Sequence, residues 1–165
     1  MMISPCRQLS SILVLLVGLT TTHTIWAQAA SGMRPSLIAI QVEDLSNSIK
    51  WYEDYLEFKL LDKKEFKDHG LSLAILQLGD FKLELVDNEK ALNKNALLKQ
   101  NGAIDMTGFA KATFNIDHVD AMYETLKKKG ASFATTLRDS NINPTEQFFI
   151  VLDCDNNWLQ FIGQK

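Results

Sequence analysis

Glu84 and Lys111 are the two residues of this chain best placed to move a proton or steady a charge. Each stands in a strand-like run whose alternate residues are apolar, Phe81-Lys82-Leu83-Glu84-Leu85-Val86 and Ala110-Lys111-Ala112-Thr113-Phe114. A carboxylate held in such a run can serve as a general base, and an ammonium can stabilise a developing oxyanion. The same two groups can also do no more than neutralise each other as an ion pair. The other candidates are poorer. His69 lies in a loop and His118 at a helix entrance, where solvated or capping roles are expected. Cys154 stands between Asp153 and Asp155, and two carboxylates raise a thiol pKa rather than lower it. No Cys-x-x-Cys is present for redox or zinc chemistry.

Both residues sit inside an internal repeat. Leu37 to Val42 reads as a strand, followed by a helix with Ser46 as N-cap and Ile49, Tyr52 and Leu56 on its core face. Phe58 to Leu61 reads as a second strand, 62–68 as a charged turn, and Leu71 to Leu78 as a third strand. Gly79-Asp80 makes a hairpin turn into a fourth strand, Phe81 to Val86. The stretch 87–109 is a polar linker in which Leu92, Leu97 and Leu98 are spaced for a short helix. The order then recurs. A strand at Ala110 to Ile116 leads into a helix, Val119 to Lys129, which stops at Gly130, and into strands at Phe133 to Leu137, Phe148 to Leu152 and Trp158 to Ile162. Val42-Glu43-Asp44 matches Ile116-Asp117-His118 at a spacing of 74, and Lys82 to Val86 matches Trp158 to Ile162 at 76. The expected fold is α+β, two pseudo-symmetric βαβββ modules at 37–86 and 110–163.

Strand alternation sorts the side chains onto faces. One face carries Leu37, Ala39, Gln41, Lys82, Glu84 and Val86, joined in the second module by Lys111, Thr113, Asn115, Trp158, Gln160 and Ile162. The opposite face is nearly all apolar, as at Ile38, Ile40, Leu83, Leu85, Phe114 and Phe161, and is expected beneath the helices. The mixed face suits a small-molecule cleft, with Leu37, Gln41, Lys82, Glu84, Lys111, Thr113, Asn115, Trp158 and Gln160 as its candidate ligand-binding residues. Within it, Glu84 and Lys111 are expected to pair, and Trp158 to offer a stacking surface.

A net charge of −3 provides no basic field, so nucleic acid is not an expected partner. The first 29 residues read as a signal peptide: Arg7, the apolar run from Ile12 to Leu19, then Ala27-Gln28-Ala29 as a cleavage signature, with 30–36 as a leader. That run falls short of the roughly 20 apolar residues a membrane span needs. A periplasmic or secreted protein with no stable membrane insertion after cleavage is expected, and its only remaining cysteine is Cys154.

The pattern Val42, Asp44, Leu45, Ser48, Trp51, Tyr52, Leu56, closed by Asp153-Cys154-Asp155-Asn156-Asn157-Trp158-Leu159-Gln160-Phe161, resembles the vicinal oxygen chelate superfamily of glyoxalases, bleomycin-resistance proteins and extradiol dioxygenases. The resemblance spans Leu37 to Gly163 and implies one glyoxalase-like domain whose strands curl into an incomplete barrel. It implies metal-ligand positions at Leu37, Glu84, Lys111 and Gln160, where the family's metallo-enzymes have His or Gln, Glu, His and Glu. Leu37 has no donor atom and the Lys111 ammonium repels a cation, so no metal and no cofactor are expected. The resemblance also implies a homodimer. Three functions stay open: a metal-free binder of a small organic ligand, a lyase or isomerase acting on a small carbonyl compound through Glu84 and Lys111, and a scaffold with a filled cleft.

Overall fold

The computed structural model describes residues 36–101 and 108–165, so the expected signal peptide and most of the leader lie outside the described residues. The elements follow in order as β1 (Leu37–Val42), α1 (Leu45–Leu56), β2 (Lys59–Phe66), a 3-10 turn (Lys67–His69), β3 (Leu71–Leu78), β4 (Phe81–Asn88), α2 (Lys94–Asn101), β5 (Ala112–Asn115), α3 (Val119–Lys128), β6 (Ser132–Asp139), β7 (Glu146–Leu152) and β8 (Trp158–Gln164). They form two four-stranded sheets with one topology, β1-β4-β3-β2 and β5-β8-β7-β6. In each, the outer pair is parallel, β1 with β4 and β5 with β8, and the remaining pairs are antiparallel. The repeat is therefore a repeat of sheet topology, and the two sheets make an open, incomplete barrel.

Local chemistry explains where the elements begin and end. Asp44 caps α1, accepting from Asn47 N–H at 2.9 Å, in place of the expected Ser46. The reason is geometric: Asp44 has extended φ and ψ, whereas Ser46 is already inside the helix. At the other end Glu57 adopts φ 62° and its N–H closes back onto the Glu53 and Tyr52 carbonyls. The charged stretch expected as a turn is instead the second half of β2. β2 is an edge strand whose residues are all exposed, so it needs no apolar alternation, and a bulge after Leu60 shifts its register. The polar linker does form a helix, α2.

Leu83, Leu85, Ala112, Leu159 and Phe161 are buried on the expected apolar face, with Ile40, Phe114 and Ile116 packed against them. Ile49, Tyr52 and Leu56 of α1, and Val119 and Leu126 of α3, close over that face. Each fully buried Leu or Phe contributes about 1.5–3 kcal/mol. A chain of rings crosses between the modules: Phe58 to Phe81 at 6.3 Å, Phe81 to Phe114 at 5.3 Å, and Phe114 stacked on Phe161 at 5.3 Å. The modules thus share one core. No helix among the described residues is long and apolar enough to cross a membrane.

Candidate functional site

Strand register determines which candidate residues stand side by side. Leu37 lies beside Lys82 and Ala39 beside Glu84 in the first sheet, and Thr113 lies beside Gln160 and Asn115 beside Ile162 in the second. Leu37, Gln41, Lys82, Lys111, Thr113, Asn115 and Trp158 are exposed, Glu84 is half-buried and Gln160 is buried. At the junction of the modules a cavity of about 180 Å³ has Ala39 and Gln41 of β1 on one side and Lys111, Ala112 and Trp158 of the second module on the other. Of the nine candidates it brings together Gln41, Lys111 and Trp158. Leu37, Lys82, Glu84, Thr113, Asn115 and Gln160 do not line it.

The expected Glu84–Lys111 pair is not formed. Ion pairs among the described residues join Lys50 to Asp54, Lys64 to Asp62, Lys127 to Glu124 and Lys165 to Asp139. Lys111 stands just before β5 and is exposed, while Glu84 sits mid-strand in the other sheet beside Ala39. Stripping water from both charges would cost more than a loosely placed pair returns.

The four positions implied for a metal do not make a site for one. Leu37 offers no donor and Lys111 offers a cation, leaving Glu84 and Gln160. Gln160 Oε1 is buried without a hydrogen-bond partner, the kind of oxygen a cation or an N–H donor would satisfy. Yet among the described residues no group of three or more His, Cys, Asp or Glu is assembled around any point. His69 and His118 are both exposed, and the His118 side chain makes no cap to α3.

What positions the cavity wall is a buried polar cluster between the modules. Asp153, in the turn between β7 and β8, accepts Asn157 N–H at 2.7 Å, Asn157 Nδ2 at 3.0 Å, Asp155 N–H at 2.9 Å and Tyr52 Oη at 2.9 Å. Asp155 accepts Ser48 Oγ at 3.0 Å and Glu43 N–H at 3.2 Å. Asn157, held twice by Asp153, lines the cavity next to Trp158. Burial raises the Asp153 carboxyl, against the lowering effect of its donors, and burial together with Asp153 pushes the Tyr52 hydroxyl well up. Burial pushes the Cys154 thiol up to about 12, with Asp155 and Asp153 adding to it. That thiol is no nucleophile. In the sequence, 153–157 figured as part of the closing motif, with no positioning role given to Asp153 or Asp155. The available signal was Ser48 and Tyr52, two hydroxyls four residues apart on the apolar side of α1.

A second concavity is built largely from the linker, which held no candidate residue. Asn95 Nδ2 donates to Glu43 Oε2 at 3.4 Å, Asn156 Nδ2 donates to Asn95 Oδ1, and Lys94 Nζ donates to the Asn156 carbonyl at 2.7 Å. Asn93 starts α2, its Oδ1 accepting Ala96 N–H at 2.8 Å. Two overlapping hollows of about 490 and 600 Å³ result, both bordered by Glu43, Asn93 and Asn95.

A family model for the Glyoxalase/Bleomycin resistance protein/Dioxygenase superfamily matches residues 34–161. The chain is 27% identical over 141 residues to a lactoylglutathione lyase of Schizosaccharomyces pombe, a match covering 76% of this chain and 46% of that protein. It thus spans about half the length of the curated relative it matches. In three dimensions it resembles a glyoxalase family protein from Enterococcus faecalis, with a TM-score of 0.68 at 16% identity over 78% of this chain and 96% of that one. It also resembles glyoxalase I from Zea mays, with a TM-score of 0.62 at 24% identity over 80% of this chain and 44% of that one. Both structural likenesses speak for the fold alone.

Proposed function

The chain belongs to the glyoxalase/bleomycin resistance protein/dioxygenase superfamily, and from that premise we propose that it is an exported, metal-free member that binds a small organic ligand between its modules. The observation that carries this reading is the junction cavity, where Gln41, Lys111 and Trp158 converge over apolar wall from Ala39 and Ala112. An exposed ammonium, an amide and an indole face suit a flat ligand bearing an anionic or carbonyl oxygen. At about 180 Å³ the space is below the usual 300–1,000 Å³ of drug-sized sites, so the ligand is small. Benzoate is a suitable probe. Calorimetric titration is expected to show saturable binding that Lys111→Met and Trp158→Ala each weaken at least tenfold. No binding to the parent protein, or equal binding to both variants, overturns the reading.

A lyase is the second reading, favoured by the match to a lactoylglutathione lyase. Glu84 is half-buried, and its carboxylate has no hydrogen-bond partner among the described residues, which suits a base. Incubation with the hemithioacetal of glutathione and a small 2-oxoaldehyde discriminates: thioester formation lost in Glu84→Gln supports the enzyme, and absence of turnover supports the binder. We further propose a homodimer, supported by the exposed apolar side chains Leu37, Leu61 and Phe66 on the first sheet; a monomeric mass in sedimentation would rule it out. Export is tested by the mature N-terminus, expected at Ala30.

A further inference from the structure

The linker-built concavity has a chemistry of its own. We infer that it is a second binding site, for a neutral polyhydroxylated ligand such as a short saccharide. Its walls are carboxamides and one carboxylate fixed at one end and unspent at the other. Asn93 commits Oδ1 to Ala96 N–H and keeps Nδ2. Asn88 commits Oδ1 to Lys90 N–H and keeps Nδ2. Asn157 commits Nδ2 to Asp153 and keeps Oδ1, and Glu43 commits Oε2 to Asn95 and keeps Oε1. Free amide N–H groups and free oxygens are therefore both found on residues that line one hollow of about 490 Å³. A sugar hydroxyl both donates and accepts, so a row of hydroxyls matches such a wall, whereas a phosphate presents mainly acceptor oxygens and a negative charge.

Charge narrows the choice further. Glu43, Asp87 and Glu89 border the hollow and repel anions. The Lys94 ammonium there is already hydrogen-bonded to the Asn156 carbonyl. Two of the carboxylates there are already engaged, Asp87 Oδ2 by Leu45 N–H and Asp155 by Ser48 Oγ and Glu43 N–H, and among the described residues no group of three or more His, Cys, Asp or Glu is assembled to hold a metal ion. At the rim stands Phe109, 94% exposed, an apolar ring left in water beside a polar hollow. The C–H face of a pyranose would cover it.

The test is calorimetric titration of the full chain with maltotriose, cellotriose and chitotriose, with spermidine and inorganic phosphate alongside. At least one trisaccharide is expected to bind saturably. Glu43→Ala and Phe109→Ala, both exposed, are expected to weaken that binding at least tenfold with an unchanged thermal transition, and Lys128→Ala on α3 to leave it as it was. Binding of no trisaccharide, binding that survives both substitutions, or binding of spermidine or phosphate in place of a trisaccharide would each overturn the assignment.

Discussion

Tyr52 Oη, on the first module's helix, donates a 2.9 Å hydrogen bond to Oδ2 of Asp153, in a turn of the second module 101 positions away. Both side chains are buried, Tyr52 fully. The bond ties α1 to the turn that carries Asn157 and Trp158, so it couples the packing of the first module to the wall of the cavity. Tyr52→Phe removes one of four donors from a buried carboxylate and is expected to cost about 1–3 kcal/mol. Asp153→Ala leaves several donors unpaired and is expected to cost more, about 3–5 kcal/mol. Urea unfolding of the two variants checks the order.

Cys154 provides a pH test. With the folded thiol at about 12 against a reference of 9.0, the folded protein holds its proton where the unfolded chain loses it. Stability from this group is intact below about pH 9 and falls as pH rises from there towards 12. At pH 8 a thiol-specific reagent is expected to leave Cys154 unmodified in the native protein and to react at once after denaturation. Rapid labelling of the native protein at pH 8 would contradict the thiol's buried setting.

Metal loading tests the donor set. Two weak donors, Glu84 and Gln160, are too few for a divalent ion. Dialysis against zinc, nickel or manganese is expected to leave no stoichiometric metal, and a chelator to leave the melting temperature unchanged. A shift of several degrees on adding any of these ions would reverse the reading of Lys111.

Gly163 is a packing test. A Cβ built there would lie 2.2 Å from the Ile116 carbonyl oxygen, beside the point where Ile116 N–H bonds Ile162 O at 2.9 Å. Since the obstacle is backbone, the pair must separate, and Gly163→Ala is expected to cost about 1–3 kcal/mol. Thermal unfolding gives the value.

Glu57 tests the end of α1. It holds φ 62° without being glycine, a conformation that costs an L side chain roughly 1 kcal/mol. Glu57→Gly is expected to raise stability by a few tenths to about 1 kcal/mol in urea unfolding, despite the greater freedom it gives the unfolded chain.

The repeat, the succession of elements in each module and the alternation of faces along the strands were legible in the amino-acid order. Alternation in Lys82 to Val86 and in Trp158 to Ile162 is a period-two signal, and that period is a local property of the extended backbone. Local pattern misplaced the cap of α1, which backbone angles give to Asp44, and the second half of β2, where charged residues form a strand because the edge is open to water. Tertiary structure alone decided which faces meet. It separated Glu84 from Lys111, joined Tyr52 to Asp153, and turned a linker with no candidate residue into the wall of a polar hollow. Those outcomes depend on how two modules are set against each other across a shared core. The energy that sets them comes from packing and desolvation of groups far apart in the chain, and no periodicity within either module records it.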